Sequence, residues 1–168
     1  PLAGPASRFA LVYAPLLAFL LPLTVYVMTM ARGLVWGDGI ELASVAATLG
    51  IAHPTGYPLF TMAGHALTWL PVGSVYWRVT LLCALAMAGS ALIVFHILRS
   101  LGERLWSESF PSATPRSILA LAGALAFAWS FSPWDGATLT EVYGVELLFQ
   151  LGLAALGLRA ARTRSRRD

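Results

Sequence analysis

Between Phe9 and Ala31 the chain reads FALVYAPLLAFLLPLTVYVMTMA, without one charged side chain. A helix needs about 20 such residues to cross the hydrocarbon of a bilayer. Backbone groups in lipid must pair within their own segment or a closed barrel, so a run like this one leaves a helix as the natural outcome. Val79 to Leu98 has the same character, and apolar runs over Ile118 to Trp134 and Thr138 to Leu158 follow it. Composition agrees, with 58% apolar and 11% charged residues, against about 25% charged in soluble domains. The sequence therefore predicts an all-α integral membrane protein. It should have four transmembrane helices at about 9–31, 79–98, 118–134 and 138–158.

The net charge of +3 comes from arginine alone and needs no nucleic acid to explain it. The arginines flank the apolar runs, and the basic tail at 159–168 lacks interleaved aromatics, so no nucleic-acid partner is expected. Cys83 is the single cysteine and lies mid-span, which excludes an internal disulfide. The first apolar run is too long for a signal peptide and lacks a small-residue cleavage pattern. Pro15 and Pro22 inside it predict a kinked, packed helix. Arginines orient the spans. Arg8, the loop 99–117 and the tail 159–168 hold nine of them on one side, leaving Arg32 and Arg78 on the other. The positive-inside rule then places both termini and the loop 99–117 in the cytoplasm. The loop 32–78 falls on the periplasmic or lumenal side, and the membrane would be the inner one in a bacterium.

That outer loop carries the chemistry. Its core, WGDGIELASVAATLGIAHPTGYPLF, sets Asp38, Glu41, His53 and Tyr57 among glycine and proline. A short helix over Ile40 to Leu49, stopped by Gly50, is too short to cross a membrane and should lie at the interface. HPTGYP reads as a turn, and Pro58 as the start of a second short helix to about Leu70. Asp38 and Glu41 can share one face of the first helix, where a carboxylate can serve as a general base. The alternative is a capping box, with Asp38 as N-cap and Glu41 as its partner. A second acidic group, Asp135, Glu141 and Glu146 with Gln150, falls on the same side, and Ser132 to Gly136 between them reads as a tight turn. Carboxylates at a bilayer boundary default to function because they are costly there. Arg78 beside Trp77 could hold a lipid phosphate, or simply snorkel from a helix end. His53 and His65 could equally shape the turn and pack the interface. No cluster has zinc-ligand spacing, although the acids leave a divalent metal open.

The motifs WGDGIELASVAATLGIAHPTGYPLF, LPVGSVYWRVTLLCAL and TEVYGVE together resemble the transmembrane protein 260-like family. This is an O-mannosyltransferase-like family within the GT-C superfamily of glycosyltransferases. The resemblance covers roughly Gly33 to Phe149 and implies the N-terminal portion of a larger enzyme. Family members usually carry proline at the position of Thr55 and a polar residue such as asparagine near Glu146. The resemblance implies transfer of a sugar from a polyprenyl-phosphate donor in the membrane lipid to a protein or glycan acceptor on the non-cytoplasmic side. Asp38 would be the base and Glu41 its helper, with His53, Tyr57, Arg78, Glu141 and Tyr143 contacting substrate. The rival reading is a non-catalytic module, a transporter half or assembly partner, that uses the same acids for packing or proton passage. Such a path needs carboxylates at several depths, whereas these gather near one face.

Overall fold

The computed structural model describes residues 8–106 and 108–164; the start of the chain before Arg8, Ser107 and the end of the basic tail at 165–168 lie outside them. Among the described residues every regular element is helical. A π-helical turn, Phe9–Tyr13, leads into α1, Ala14–Thr29. Two short helices follow, α2 (Gly39–Thr48) and α3 (Pro58–Thr68). The long α4 (Val75–Leu105) comes next, then α5 (Ala113–Ala128), the short α6 (Phe131–Thr138) and α7 (Tyr143–Arg164). Phe9–Thr29, α4 and Tyr143–Ala161 are each long and apolar enough to cross a membrane. α5 qualifies only together with α6, from which it is bent by 63°. The all-α membrane fold stands, with three spans, or four if the bent pair counts as one.

Helix α1 stays continuous through Pro22. The irregular stretch comes earlier, at the π-helical turn just before Pro15, where a wider turn eases the clash between the proline ring and the preceding turn. Ala10, Ala14, Ala18, Pro22, Tyr26 and Met30 recur every four residues and are all buried. This face lets α1 lie close against α4 and α5. Ala14 and Ala18 pack with Phe95, Ala120 and Ala124, whereas Tyr26 and Met30 pack with Ala84, Met87, Ala91 and Ala128. α1 and α5 therefore run together, antiparallel to α4. α7 runs parallel to α4, with Gly144 against Cys83 and Leu148 against Gly89. Tyr26, fully buried, donates its hydroxyl to the carbonyl of Ala128 at 2.5 Å and so closes the end of α5 where the chain bends into α6. Trp134 of α6 meets the Tyr26 ring edge-on.

One end of this bundle thus collects α2, α3, α6 and the irregular stretch Leu139–Val142. The other holds the α4–α5 connection and the end of α7.

Four expectations need correction. α4 begins at Val75 and continues to Leu105, so much of the stretch expected as the polar loop 99–117 is helix. Ser74 caps its start by accepting from Trp77 N–H at 3.1 Å, and the Arg99–Glu103 pair, 3.5 Å apart, supports the turns beyond the apolar run. The span expected at 118–134 starts earlier, at Ala113, and stops at Ala128. Ser132 to Gly136, expected as a turn, lies inside α6: Pro133 falls in the first turn, where a helix has no use for its N–H. Consequently the last span starts at Tyr143 rather than Thr138.

Candidate active site

The chain leaves α1 through an irregular stretch in which Trp36 is almost wholly exposed, and enters α2 at Gly39. Gly39 decides where Asp38 goes. A Cβ at this position would lie 2.9 Å from the Tyr76 hydroxyl and 3.0 Å from the carbonyl oxygen of Thr140. Only glycine lets the start of α2 sit this close to α4 and to the Leu139–Val142 stretch. Asp38 is thereby delivered beside the chain that carries Glu141.

Thr140 is itself pinned, its buried hydroxyl 2.6 Å from that of Thr80. Glu141 contributes its backbone carbonyl, which accepts from Cys83 Sγ at 3.2 Å. Gly144 completes the fastening, since a Cβ there would press on the carbonyls of Cys83 and Gly136. Further along, Ala31 N–H donates to the carbonyl of Thr138 at 2.9 Å, tying the exit of α1 to the end of α6.

α2 stops at Leu49 rather than at Gly50, because Leu49 takes the left-handed conformation at φ 52°. The chain reverses there and brings His53 back along α2. Its backbone N–H donates to Glu41 Oε1 at 2.6 Å, and its Nδ1 lies 3.1 Å from Oε2 of the same carboxylate. The other ring nitrogen, Nε2, lies 4.0 Å from Asp38 Oδ2. His53 thus stands between the two acids, and Tyr57 packs edge-on to its ring at a centroid distance of 5.4 Å. The capping-box alternative is not realised. Asp38 makes no side-chain cap bond, its side chain is 66% exposed, and Glu41 is spent on His53.

Two carboxyls here are shifted in opposite directions. The His53 backbone N–H holds Glu41 below the usual glutamate range, helped by the imidazole bond and its charge. Glu141 is raised, first by desolvation and then by the negative charges of Asp38 and Asp135, with His53 opposing. These charges act on one another, so the early acidic motif and the later one share a single electrostatic site.

A carboxyl lowered by folding stabilises the fold above its unfolded pKa, about 4.3, and that stabilisation is lost as pH falls through the folded value. Amide hydrogen exchange across residues 50–57 is therefore expected to accelerate below about pH 4. In Glu41→Gln it should be faster throughout and lose this acid dependence. A wild-type loop whose exchange ignores acidification would show that Glu41 does not hold it.

The remaining expected site residues lie elsewhere. Arg78 donates through Nη1 to the carbonyls of Thr68 and Leu70, the latter at 2.7 Å, and through Nε to Ser74 at 3.3 Å. It closes the C-terminal end of α3, where backbone carbonyls lack helical partners, and its contacts are not with the acids. Arg78→Gln is expected to destabilise this corner by about 1.5–3 kcal/mol, the worth of hydrogen bonds from a charged donor. Limited proteolysis between Thr68 and Ser74 reads the loss, and unchanged cleavage would refute the capping role. Tyr143 is exposed at the start of α7. It lines a cleft of about 240 Å³ with Ser132, Glu146 and Gln150, which none of Asp38, Glu41 and His53 lines. Glu146 there accepts from Gln150 at 2.8 Å. His65 packs α3 on α2, its Nδ1 2.8 Å from the carbonyl of Ala46. Among the described residues, no group of three or more His, Cys, Asp or Glu is arranged to hold a metal ion.

Sequence reasoning missed Gly39, Thr80, Thr140 and Gly144. A glycine at the very start of a helix was the one visible signal.

The family model described as the protein O-mannosyl-transferase TMEM260 N-terminal domain matches residues 38–168, beginning at Asp38 itself. The chain belongs to this family. Two curated relatives agree with it. A mouse protein named protein O-mannosyl-transferase TMEM260 is 36% identical over 148 residues, 84% of this chain and 19% of the relative. A Dictyostelium discoideum protein named protein O-mannosyl-transferase tmem260 is 31% identical over 146 residues, 83% of this chain and 16% of the relative. The chain thus spans less than a fifth of the length of these TMEM260 relatives. No solved structure matches it.

Proposed function

We propose that this TMEM260-type domain forms the catalytic front of a membrane glycosyltransferase. The enzyme transfers a sugar, mannose on the strength of its relatives' names, from a polyprenyl-phosphate donor to a hydroxyl of a protein acceptor. The observation that carries the reading is the convergence of Asp38, Glu41 and His53 with Glu141 at one end of an apolar bundle. A lipid-borne donor stays in the membrane, the acceptor arrives from water, and this end lies where the two meet. By the arginine distribution, that is the periplasmic or lumenal side.

Each side chain then has a distinct task. Asp38 is exposed and uncommitted to the helix, so it can take the proton of the acceptor hydroxyl as the oxygen attacks the anomeric carbon. The bond from that carbon to the phosphate oxygen breaks, and the polyprenyl phosphate leaves with the electron pair. Glu41 holds its charge and fixes the His53 ring through Nδ1, leaving Nε2 for the donor or for Asp38. Glu141 takes up a proton more readily than an ordinary glutamate and can donate a hydrogen bond to a sugar hydroxyl. Tyr57 supports the imidazole from its edge.

The test is transfer by the full-length protein in detergent, from a radiolabelled polyprenyl-phosphate mannose to a peptide rich in serine and threonine. Label should appear in the peptide. If it does so only from a nucleotide-linked sugar, the donor assignment fails. If neither donor is used while the protein remains folded, the reading of this domain as part of a transferase fails.

A further inference from the structure

At the end of the bundle away from the acids, α4 and α7 stand apart and leave a cleft of about 330 Å³. Its walls carry charged and polar side chains from both helices. α4 contributes His96, Arg99, Ser100 and Glu103, and α7 contributes Leu158 and Arg159. Arg99 is mostly buried and held in place: Nη1 donates to the carbonyl of Ala10 at 3.2 Å, and Nε lies 3.5 Å from Glu103. Glu103, the acid of the cleft, is therefore already matched. Arg159 is exposed on the facing helix, and its guanidinium has no partner among the described residues. The Ser100 hydroxyl likewise has no hydrogen bond among them.

The depth of the cleft narrows what it can hold. α4 rises about 1.5 Å per residue, so Arg99 lies about 30 Å along it from Arg78. That is close to the roughly 30 Å thickness of the hydrocarbon. With Arg78 at one membrane boundary, Arg99 stands at the other, at the level of lipid headgroups. Arginine forks suit phosphate oxygens, and a serine hydroxyl adds a further donor.

We infer that this cleft seats the phosphate of an anionic phospholipid between Arg99 and Arg159, with Ser100 as a further donor. The site leaves a surplus positive charge once Glu103 is paired, which a phosphatidylglycerol phosphate neutralises. A phosphatidylcholine headgroup brings its own cation into the same place. Leu158 in the cleft wall and the exposed Leu153 and Leu156 of α7 give the acyl chains an apolar surface to follow.

The test is native mass spectrometry of the full-length protein in detergent micelles. The added probes are dioleoylphosphatidylglycerol and, separately, dioleoylphosphatidylcholine. A single phosphatidylglycerol should be retained in preference to phosphatidylcholine. The double substitution Ser100→Ala with Arg159→Ala should weaken its retention about tenfold or more, as expected for loss of charge-assisted hydrogen bonds. Neither side chain makes a hydrogen bond or ion pair with another described residue, so the variant should remain intact. Arg104→Ala, on the same helix but outside the cleft, should leave retention unchanged, and excess inorganic phosphate should not displace the lipid. Four outcomes would overturn the assignment. They are no preference for phosphatidylglycerol, as when another part of the protein fills the cleft; an unaffected double variant; an equal loss in Arg104→Ala, which would mean bulk charge; and displacement by phosphate, which would mean a free-anion site.

Discussion

Asp38→Asn in the full-length protein is expected to lower sugar transfer on the order of 10²–10⁴-fold, the usual contribution of a positioned general base. Asparagine keeps the shape of the side chain and cannot accept the hydroxyl proton. Expression, membrane insertion and thermal stability should be preserved, because the carboxylate is exposed and makes no cap bond with α2. Substitutions at such positions usually change stability by less than about 0.5 kcal/mol. Glu41→Gln should be milder than Asp38→Asn, since it loosens His53 without removing the proton acceptor. Full transfer by Asp38→Asn would move the base elsewhere in the cluster and leave Asp38 as an ordinary surface carboxylate.

Gly39→Ala is the second large expected effect, and it tests architecture rather than proton transfer. The added methyl would stand 3.0 Å from the Thr140 carbonyl and 3.2 Å from its Cβ, groups that cannot swing aside as a flexible chain end would. Overpacking of this kind costs about 1–3 kcal/mol. The start of α2 would be pushed off α4, carrying Asp38 away from Glu141. Misplacing a reacting group by about 1 Å can cost on the order of 10²-fold in rate, so transfer should fall by about that much. Gly33→Ala is the control: a Cβ there meets nothing within 4 Å, and both stability and transfer should be unchanged. Equal behaviour of the two variants would mean that the close approach at Gly39 has no bearing on activity.

Helices α1 and α4 were legible because a charge-free apolar run of that length favours a helix whatever its neighbours do. Helices α2 and α3 were legible, within a residue or two, from Gly50 after the one and Pro58 at the start of the other. α4 outran its expected limits because what extends it is polar: a serine cap at Ser74 and an ion pair at Arg99 and Glu103. α6 hid behind Pro133 and Gly136, residues that spell a turn unless the proline falls in a helix's first turn. Asp38, Glu41 and His53 stood out as polar side chains in a loop between spans. The bond from Glu41 to His53 did not, since it depends on the left-handed residue Leu49 folding the chain back on itself. The carbonyl partners of Arg78 were hidden for a related reason. An arginine next to Trp77 looks like a headgroup anchor, and only the course of α3 reveals the carbonyls it closes. The Thr80–Thr140 contact joins residues 60 apart in sequence and has no local signature at all.

The fastening of Leu139–Val142 separates two things that most sites entangle. The stretch is held by the Thr140 hydroxyl and by the Glu141 backbone carbonyl, while the Glu141 carboxyl makes no hydrogen bond among the described residues. The scaffold is therefore indifferent to which side chain projects at that position. A lineage could retune the acidity or reach of this group, or exchange it for an amide, and the polypeptide would still follow the same track past Asp38. Thr140, by contrast, has little such liberty, because the path itself is written in its hydroxyl.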